Sequence, residues 1–260
     1  MPVTILGGFR AALALAVGIV AIPGNATTCS DSLSVFPVDA VIDPNGGLVI
    51  EGVGTWERTV AHLPLTTVHF VSETERIQAV ARIINFVPGR FAQVVVTAAH
   101  PLRAGGKYRL FIAPPQCLPK AKAGFLPKPN SVEDLVVTAK PQEVRNEAVT
   151  LSLDHTEGCA APKCRSRGAV FTSGSTDAGR LLFVSLEEKS TGDTRRMFLE
   201  EEEGKIELYE GMCLSGAHWN FQYKGEVCVR ASSASPSVEG PKLGAPKCFT
   251  LPEEKADGGR

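Results

Sequence analysis

The sequence lacks an excess of charge of either sign. Its 260 residues carry 27 lysines and arginines against 28 aspartates and glutamates, a formal net charge of −1. Nucleic-acid-binding domains and proteins that adhere to anionic membranes usually carry a basic patch or a basic excess. The charge balance therefore predicts neither nucleic acid nor an anionic lipid surface as a partner.

The sequence also lacks the short motifs of common catalytic and cofactor sites. It has no Gly-x-Ser-x-Gly elbow, phosphate-binding loop, dinucleotide fingerprint or His-Glu-x-x-His zinc motif. It has no run of alternating acids of the kind that a calcium loop requires. We therefore expect no enzymatic activity, no cofactor and no metal. A hydrolase stays an alternative, because paired carboxylates are recognised by geometry rather than by motif.

Long apolar runs are absent after residue 22. The run at 11–22 follows Arg10 and precedes Pro23 and the small residues Gly24 and Ala26. This order is typical of a secretory signal peptide, and the run is too short to cross a hydrocarbon layer of roughly 30 Å. The sequence therefore predicts a signal peptide at 1–26, export to the periplasm or beyond the cell, and no membrane span after cleavage. An uncleaved N-terminal anchor is the alternative.

Cysteine is present, and all seven cysteines follow the predicted signal peptide. An oxidising compartment favours disulfides over metal sites. The candidate pairs are Cys29 with Cys117, Cys159 with Cys164, and Cys228 with Cys248. Half of a metal site is the alternative for Cys159 and Cys164. Because seven is odd, Cys213 is the candidate for an unpaired thiol, although it could instead pair with Cys228 or Cys248.

A long helical period is also missing, and short β-like runs separated by Gly, Pro, Asn and Asp take its place. Prolines and lysines concentrate between residues 114 and 130, which is typical of a stiff, solvated linker. The sequence therefore predicts an all-β protein with two tandem β-sandwiches at 27–117 and 131–252. They are joined by a linker at 118–130 and followed by a disordered tail at 253–260.

Two strand patterns are especially clear. Residues 93–96, Gln-Val-Val-Val, form a nearly continuous apolar run that predicts a strand buried on both faces. Aromatic and polar residues alternate at 219–223, and Lys224-Gly225 then leads into 226–231. This pattern predicts a hairpin between the two runs.

Several segments resemble known modules. Residues 101–112, with Gly105-Gly106 before Tyr108, are similar to the late strands of bacterial Ig-like domains, and residues 36–40 resemble their opening. Residues 225–231 and 247–252 resemble the last hairpin of an Ig-like or fibronectin type III module. The resemblance implies two tandem Ig-like β-sandwiches, which serve as spacers, adhesion modules or carriers of binding loops. Such a fold does not determine the function.

The leading hypothesis is an exported, non-enzymatic envelope protein with a structural or binding role, whose partner is an unidentified envelope protein or glycan. One alternative is a carbohydrate- or surface-binding module that uses exposed Trp56 or Trp219. Another is a periplasmic copper-binding protein, because copper carriers use a related sandwich and His62 and His69 could meet across a hairpin. The four glutamates at 200–203 predict a charged hairpin turn, with a cation-binding patch as the alternative.

Overall fold

The computed structural model describes residues 31–113, 123–129, 131–158, 167–174, 180–210, 218–219 and 225–251. The predicted signal peptide at 1–26 and the predicted tail at 253–260 lie outside these residues. Among the described residues, no helix is long and apolar enough to cross a membrane.

Strands dominate the described chain, and the all-β class is confirmed. The first nine strands are β1 Ser32–Phe36, β2 Val41–Ile42, β3 Gly47–Val53, β4 Thr67–Val71, β5 Arg76–Val87, β6 Phe91–Ala98, β7 Lys107–Ala113, β8 Gly124–Phe125 and β9 Val136–Ala139. The other strands are β10 Asn146–Val149, β11 Ser152–Gly158, β12 Arg167–Thr172, β13 Arg180–Glu188, β14 Thr194–Glu201, β15 Lys205–Glu210, β16 His218–Trp219, β17 Glu226–Ala234 and β18 Lys247–Thr250. One short helix, α1 (Thr55–Ala61), and a 3-10 turn at Leu63–Leu65 connect β3 to β4.

The first body, residues 31–139, is one continuous sheet. Its strand order is β1-β3-β6-β5-β4-β7-β9-β2, with β8 paired to β7. The long strand β5 pairs with β4 near its start and with β6 along the rest of its length. Side chains from β1 and β3 share one core with side chains from β7 and β9. The sheet therefore folds over on itself and encloses that core.

The Tyr108 hydroxyl explains the Gly-Gly-x-Tyr motif at the start of β7. It accepts a hydrogen bond from the Arg103 N–H (2.8 Å) and donates one to Glu75. A Cβ on Gly106 would lie 2.9 Å from this hydroxyl and 2.8 Å from the Arg103 carbonyl, too close for an ordinary contact. Glycine at 106 therefore permits the buried tyrosine to reach back to the preceding loop.

The boundary between the two bodies differs from the expected one. Residues 124–125 and 136–139 pair with β7, so part of the predicted linker and the start of the predicted second domain belong to the first sheet. Leu126 is buried, its N–H donates to the Leu110 carbonyl (2.7 Å), and its carbonyl accepts from Leu135 (2.8 Å). The prolines around Leu126 thus flank a packed segment, and the chain passes to the second body at 140–145. Residues 118–122 and 130 lie outside the described residues.

The second body, residues 146–251, contains two facing sheets. One has the order β10-β17-β13-β14 with β18 paired to β17, and the other has the order β11-β12-β15-β16. Their facing sides share a core that includes Phe171, Leu182, Met197, Ile206 and Val229. This arrangement is a β-sandwich.

One local prediction for the second body needs correction. The strand β16 pairs in parallel with β15, whereas β17 belongs to the opposite sheet. Trp219, where the predicted hairpin begins, and β17 thus lie in different sheets, and the two are not paired with each other. Residues 220–224 lie outside the described residues.

Candidate functional site

The two bodies meet through the outer face of β3 and β6. Along these strands alternate side chains enter the first core, while Val49 and Val95 point the other way. They pack against Phe183 and Phe198 of the second body, whose rings meet edge to face at a centroid distance of 5.1 Å. The prediction that residues 93–96 are buried on both faces is confirmed, and the second face is an interface between bodies.

Gln93 joins the two bodies by hydrogen bonds in the centre of this interface. Its side chain is fully buried, and its Oε1 accepts from the Phe198 N–H (2.7 Å). Its Nε2 donates to the Phe198 carbonyl (2.9 Å) and to Oε2 of Glu51 (3.2 Å). Because β14 is the last strand in its sheet order, this amide occupies the place that a neighbouring strand would take.

Glu51 lies beside Gln93 and is buried with it. Burial raises the pKa of Glu51 to about 8, and the hydrogen bond from Gln93 acts in the opposite direction. The carboxyl group is therefore largely protonated at neutral pH. A neutral acid avoids the cost of a buried, unpaired charge.

The connecting segment 140–145 is attached to both bodies. The Lys140 N–H donates to the Ile42 carbonyl (2.8 Å), and the Gln142 N–H donates to Oδ2 of Asp43 (3.2 Å). On the other side, the Arg145 N–H donates to the Ser235 hydroxyl (3.1 Å), and the Ser235 N–H donates back to the Arg145 carbonyl (3.0 Å). These hydrogen bonds attach the connecting segment to both bodies.

A groove of about 450 Å³ lies beside the connecting segment, and we call it the junction groove. Both bodies and the segment between them contribute to it. Its lining includes Pro37, Asp43, Gln142, Glu143, Arg145 and Arg180. Oδ1 of Asp43 accepts from the Asn45 N–H (2.8 Å) while Oδ2 holds Gln142, so this carboxylate shapes the wall.

Arg180 is held at the groove by a buried carboxylate. Its Nε lies 3.4 Å from Oε2 of Glu201, a residue with no exposed side-chain surface. The two atoms form an ion pair without hydrogen-bond geometry, and Ser173 bonds to the other oxygen of Glu201. A paired buried charge of this kind fixes the position of the guanidinium group, because leaving either partner alone would be costly.

The cysteine predictions fall in two groups. Cys228 and Cys248 are directly opposite on β17 and β18 and form a disulfide, as their place on the final hairpin indicates. Five predicted site residues lie outside the described residues, namely Cys29, Cys117, Cys159, Cys164 and Cys213. Within the described part of the chain, one group of three potential metal ligands occurs: Glu226, Cys228 and Cys248. Both of its sulfurs are committed to the disulfide.

The histidines proposed for copper have separate surroundings. The Nδ1 of His62 donates to the Arg58 carbonyl (2.6 Å), and Arg76 donates to Nδ1 of His69 (3.2 Å). Partial burial, and then the charge of Arg76, lowers the pKa of His69. Both rings thus serve local contacts.

The tryptophans proposed for glycan stacking give a divided result. Trp56 lies in α1, is partly buried and packs against the first core. Its ring therefore attaches the helix to the core and is not an exposed surface for stacking on a sugar. Trp219 is placed in β16, and its side chain lies outside the described features.

The four glutamates at 200–203 do end a strand in a turn. Glu203 and Gly204 have φ values of 50° and 77°, and the backbones of Glu202 and Lys205 bond to each other on both sides of them. This is the mirror-image two-residue turn of tight hairpins. Glu201 is not part of the expected charged surface, because its side chain is buried and forms an ion pair with Arg180. Partial burial, and then Glu202 and Asp39, raises the pKa of Glu200.

The comparisons with known proteins give no family. No family model matches the chain, and no curated protein matches it. Among solved structures, the chain is similar to the crystal structure of chicken CNTN1 FN1-FN3 domains, with 11% sequence identity and a TM-score of 0.21. The match covers 84% of this chain and 63% of that one, so the chain spans under two thirds of that structure's length.

Proposed function

We propose that the chain is an exported, non-enzymatic binding protein of a bacterial envelope, built from two Ig-like sandwiches, and that the junction groove is its ligand site. The observation that carries the proposal is the junction itself. A buried amide, a buried phenylalanine pair and a bonded connecting segment fix the two bodies around one groove. A preorganised site loses little freedom on binding its ligand.

The polar groups of the groove support binding rather than catalysis. The Asp43 carboxylate accepts two backbone N–H groups, and the Ser235 hydroxyl accepts a third. These groups hold the wall of the groove in place. The lining carries charges of both signs, Asp43 and Glu143 with Arg145 and Arg180, which suits a polar ligand such as a glycan or a peptide.

Export is supported by two independent features. The order of charge, apolar run and small residues at 1–26 is that of a signal peptide, and the second body contains a disulfide. N-terminal sequencing of the protein recovered from the envelope should begin near Thr27. A chain that still begins at Met1 would contradict the signal-peptide part of the proposal.

The binding site is tested with two matched tryptophan variants. Glu143→Trp places a large ring at the groove, whereas Glu147→Trp places it on exposed β10, outside the lining. Each immobilised protein is exposed to solubilised bacterial envelope, and retained proteins and glycans are identified by mass spectrometry. We expect the unmodified chain and Glu147→Trp to retain the same component and Glu143→Trp to lose it. Equal retention by Glu143→Trp, or no retained component, would overturn the assignment of the groove.

A further inference from the structure

A second concave surface lies on another side of the junction, between β5 and β14. Its walls are Ile83, Ile84, Asn85 and Phe86 of β5 and Thr194, Arg195 and Arg196 of β14, and its volume is about 390 Å³. We call it the basic cleft. It adjoins a smaller cavity of about 250 Å³ that shares Ile83, Ile84 and Arg196 and adds Arg82.

The charge of this surface has one sign. Arg82, Arg195 and Arg196 line the two cavities, and neither lining contains an aspartate or a glutamate. Arg82 and Arg196 are exposed, and neither forms an ion pair with a described residue. In a chain with balanced total charge, such a local excess attracts an acidic ligand.

Asn85 adds an unfilled hydrogen-bond donor to the wall. The register between β5 and β6 shifts between Ile83 and Asn85, so a β-bulge turns this polar residue inward. Asn85 is 4% exposed, and among the described residues its Nδ2 has no hydrogen-bond partner. Buried amide groups are nearly always paired, so an acceptor supplied by a ligand would complete this one.

The other wall of the cleft is an open strand edge. Phe198 lies opposite Phe183 in the β13–β14 register. The N–H and C=O of Phe198 form hydrogen bonds with the Gln93 side chain and therefore point away from β13. In an antiparallel pair, residues two apart direct their backbone groups the same way. The backbones of Arg196 and Thr194 therefore also face away from β13. Both residues line the cleft.

We propose that the basic cleft binds an extended acidic segment of a partner protein, which adds to the outer edge of β14 at Thr194–Arg196. The backbone of the segment pairs with the edge, and its carboxylates meet Arg82 and Arg196. An acceptor of the segment accepts a hydrogen bond from Nδ2 of Asn85 once this buried side chain turns toward the cleft. The edge spans about 7 Å at roughly 3.3 Å per residue, which suits the pairing of two or three residues.

The apolar flanks of the cleft fit the same occupant. Ile83 and Phe86 are 44% and 38% exposed beside the arginines. A strand presents its side chains alternately to two sides, so a segment that alternates acidic and apolar residues satisfies both the arginines and these side chains. This surface is distinct from the junction groove, and the two assignments succeed or fail separately.

The proposal is tested with labelled peptides and the full mature chain. The probe is an acetylated hexapeptide of alternating glutamate and valine, and the comparison peptide carries glutamine in place of each glutamate. Binding is followed by fluorescence anisotropy at low and at physiological salt. We expect the acidic peptide to bind about tenfold more tightly than the glutamine peptide, with the difference shrinking as salt screens the charges.

Protein variants assign the site. Arg196→Gln and Arg82→Gln should each weaken binding of the acidic peptide about fivefold, and Asn85→Leu should weaken it as well. The matched control is Arg90→Gln, which removes an exposed arginine that lines neither cavity. The two arginine variants keep the test valid if Asn85→Leu fails to fold. Equal effects of Arg90→Gln and Arg196→Gln would overturn the proposal.

Two further probes separate strand pairing from simple charge attraction. An acidic peptide with alternate backbone nitrogens methylated should bind at least tenfold more weakly, because methylation removes the donors that pair with a strand edge. Undiminished binding of that peptide would overturn the strand-addition part. An oligogalacturonate that binds more tightly than the peptide, with the same dependence on Arg196, would show an acidic glycan as the occupant. No binding of the acidic peptide would overturn the proposal outright.

Discussion

Glu51 and Gln93 are two polar residues buried in an apolar interface. The hydrogen bond from Gln93 helps to offset the cost of burying the Glu51 carboxyl group. Gln93 has two partners on Phe198 and a third in Glu51. Both N–H groups of the amide are thus used, and its oxygen accepts one hydrogen bond. Glu51 contributes an acceptor, and its raised pKa lets it stay neutral in this setting.

The stability of the protein should fall as the pH rises from about 4.5 to about 8. An unfolded glutamate loses its proton near its ordinary pKa of 4.5, whereas Glu51 keeps its proton in the folded state up to about pH 8. Between these values only the folded state holds the proton. The free energy of unfolding therefore decreases with pH through this window, by an amount on the order of 5 kcal/mol, and levels off above it.

The Glu51→Gln variant isolates this effect. A glutamine keeps an acceptor for Gln93 and cannot ionise, so urea unfolding followed at pH 5, 6, 7 and 8 should show a much flatter dependence on pH than the unmodified chain. The control is Glu147→Gln, which neutralises an exposed glutamate. An unchanged slope in Glu51→Gln would show that the proton is held elsewhere.

The role of Gln93 could not be predicted from the sequence, although its burial was. The run at 93–96 indicates a strand with two buried faces, and the structure agrees. The partner of the amide is Phe198, 105 residues away. The pattern of apolar residues along a strand indicates whether a residue is buried. It does not indicate which backbone group, distant in sequence, the side chain contacts.

At the scale of single elements, the alternation of a strand is visible in the sequence. In β4 (Thr67–Val71), Val68 and Phe70 are buried and the residues between them are less so. Helix α1 was not predicted. Its first residue is held by Asp31, which accepts from the Thr55 N–H (3.0 Å) and hydroxyl (2.7 Å) across 24 positions of chain. A helix of seven residues with a distant capping group leaves too short a pattern to recognise.

The segment around Leu126 shows why the linker prediction was only a composition argument. Prolines and lysines suggested solvation, yet Leu126 has almost no exposed surface. Proline removes backbone donors and is accepted at strand edges, so a proline-rich segment can still lie along a sheet. The residue that makes the difference is Leu126, whose side chain enters the first core.

The β17–β18 hairpin depends on its disulfide. Cys228 and Cys248 are 20 positions apart, and closing a loop of that length restricts the unfolded chain by roughly 3 kcal/mol in the chain-entropy model. Replacing both cysteines with alanine should lower the free energy of unfolding by about that amount in urea titrations. Reduction of the unmodified protein should lower it by at least as much, because reduction also opens any disulfide among the other five cysteines.

The comparison with reduction tests the assignment. If the double alanine variant keeps the stability of the unmodified protein and reducing agent destabilises both proteins equally, another disulfide accounts for the effect of reduction. A single Cys228→Ala variant with full stability would contradict the pairing.

At the scale of the whole molecule, the two bodies share one interface with apolar packing and hydrogen bonds. We expect calorimetry to show a single unfolding transition, because unfolding of one body would expose apolar side chains and hydrogen-bonding groups of the other that the interface buries. The Val95→Lys variant places a charge against Phe183 and Phe198 while leaving the first core untouched. It should split the transition into two.

The matched control for this prediction is Val80→Lys. Val80 lies on β5 of the same sheet but is 56% exposed, so a lysine there should leave one transition at nearly the same temperature. Two transitions in the unmodified chain would show that the bodies unfold independently and that the buried interface adds little coupling.

The amide of Gln93 on the outer edge of β14 has a consequence for how such a protein can change over evolution. Modules strung on free linkers can be duplicated, reordered or exchanged between genes, since each is a finished unit. Here the backbone of Phe198 in the second body has its hydrogen-bond partner in Gln93 of the first body. A copy of the second body inserted elsewhere would expose the backbone of Phe198 at the edge of β14 and the phenylalanine pair to water, which favours aggregation. The two bodies are therefore expected to be inherited as one unit.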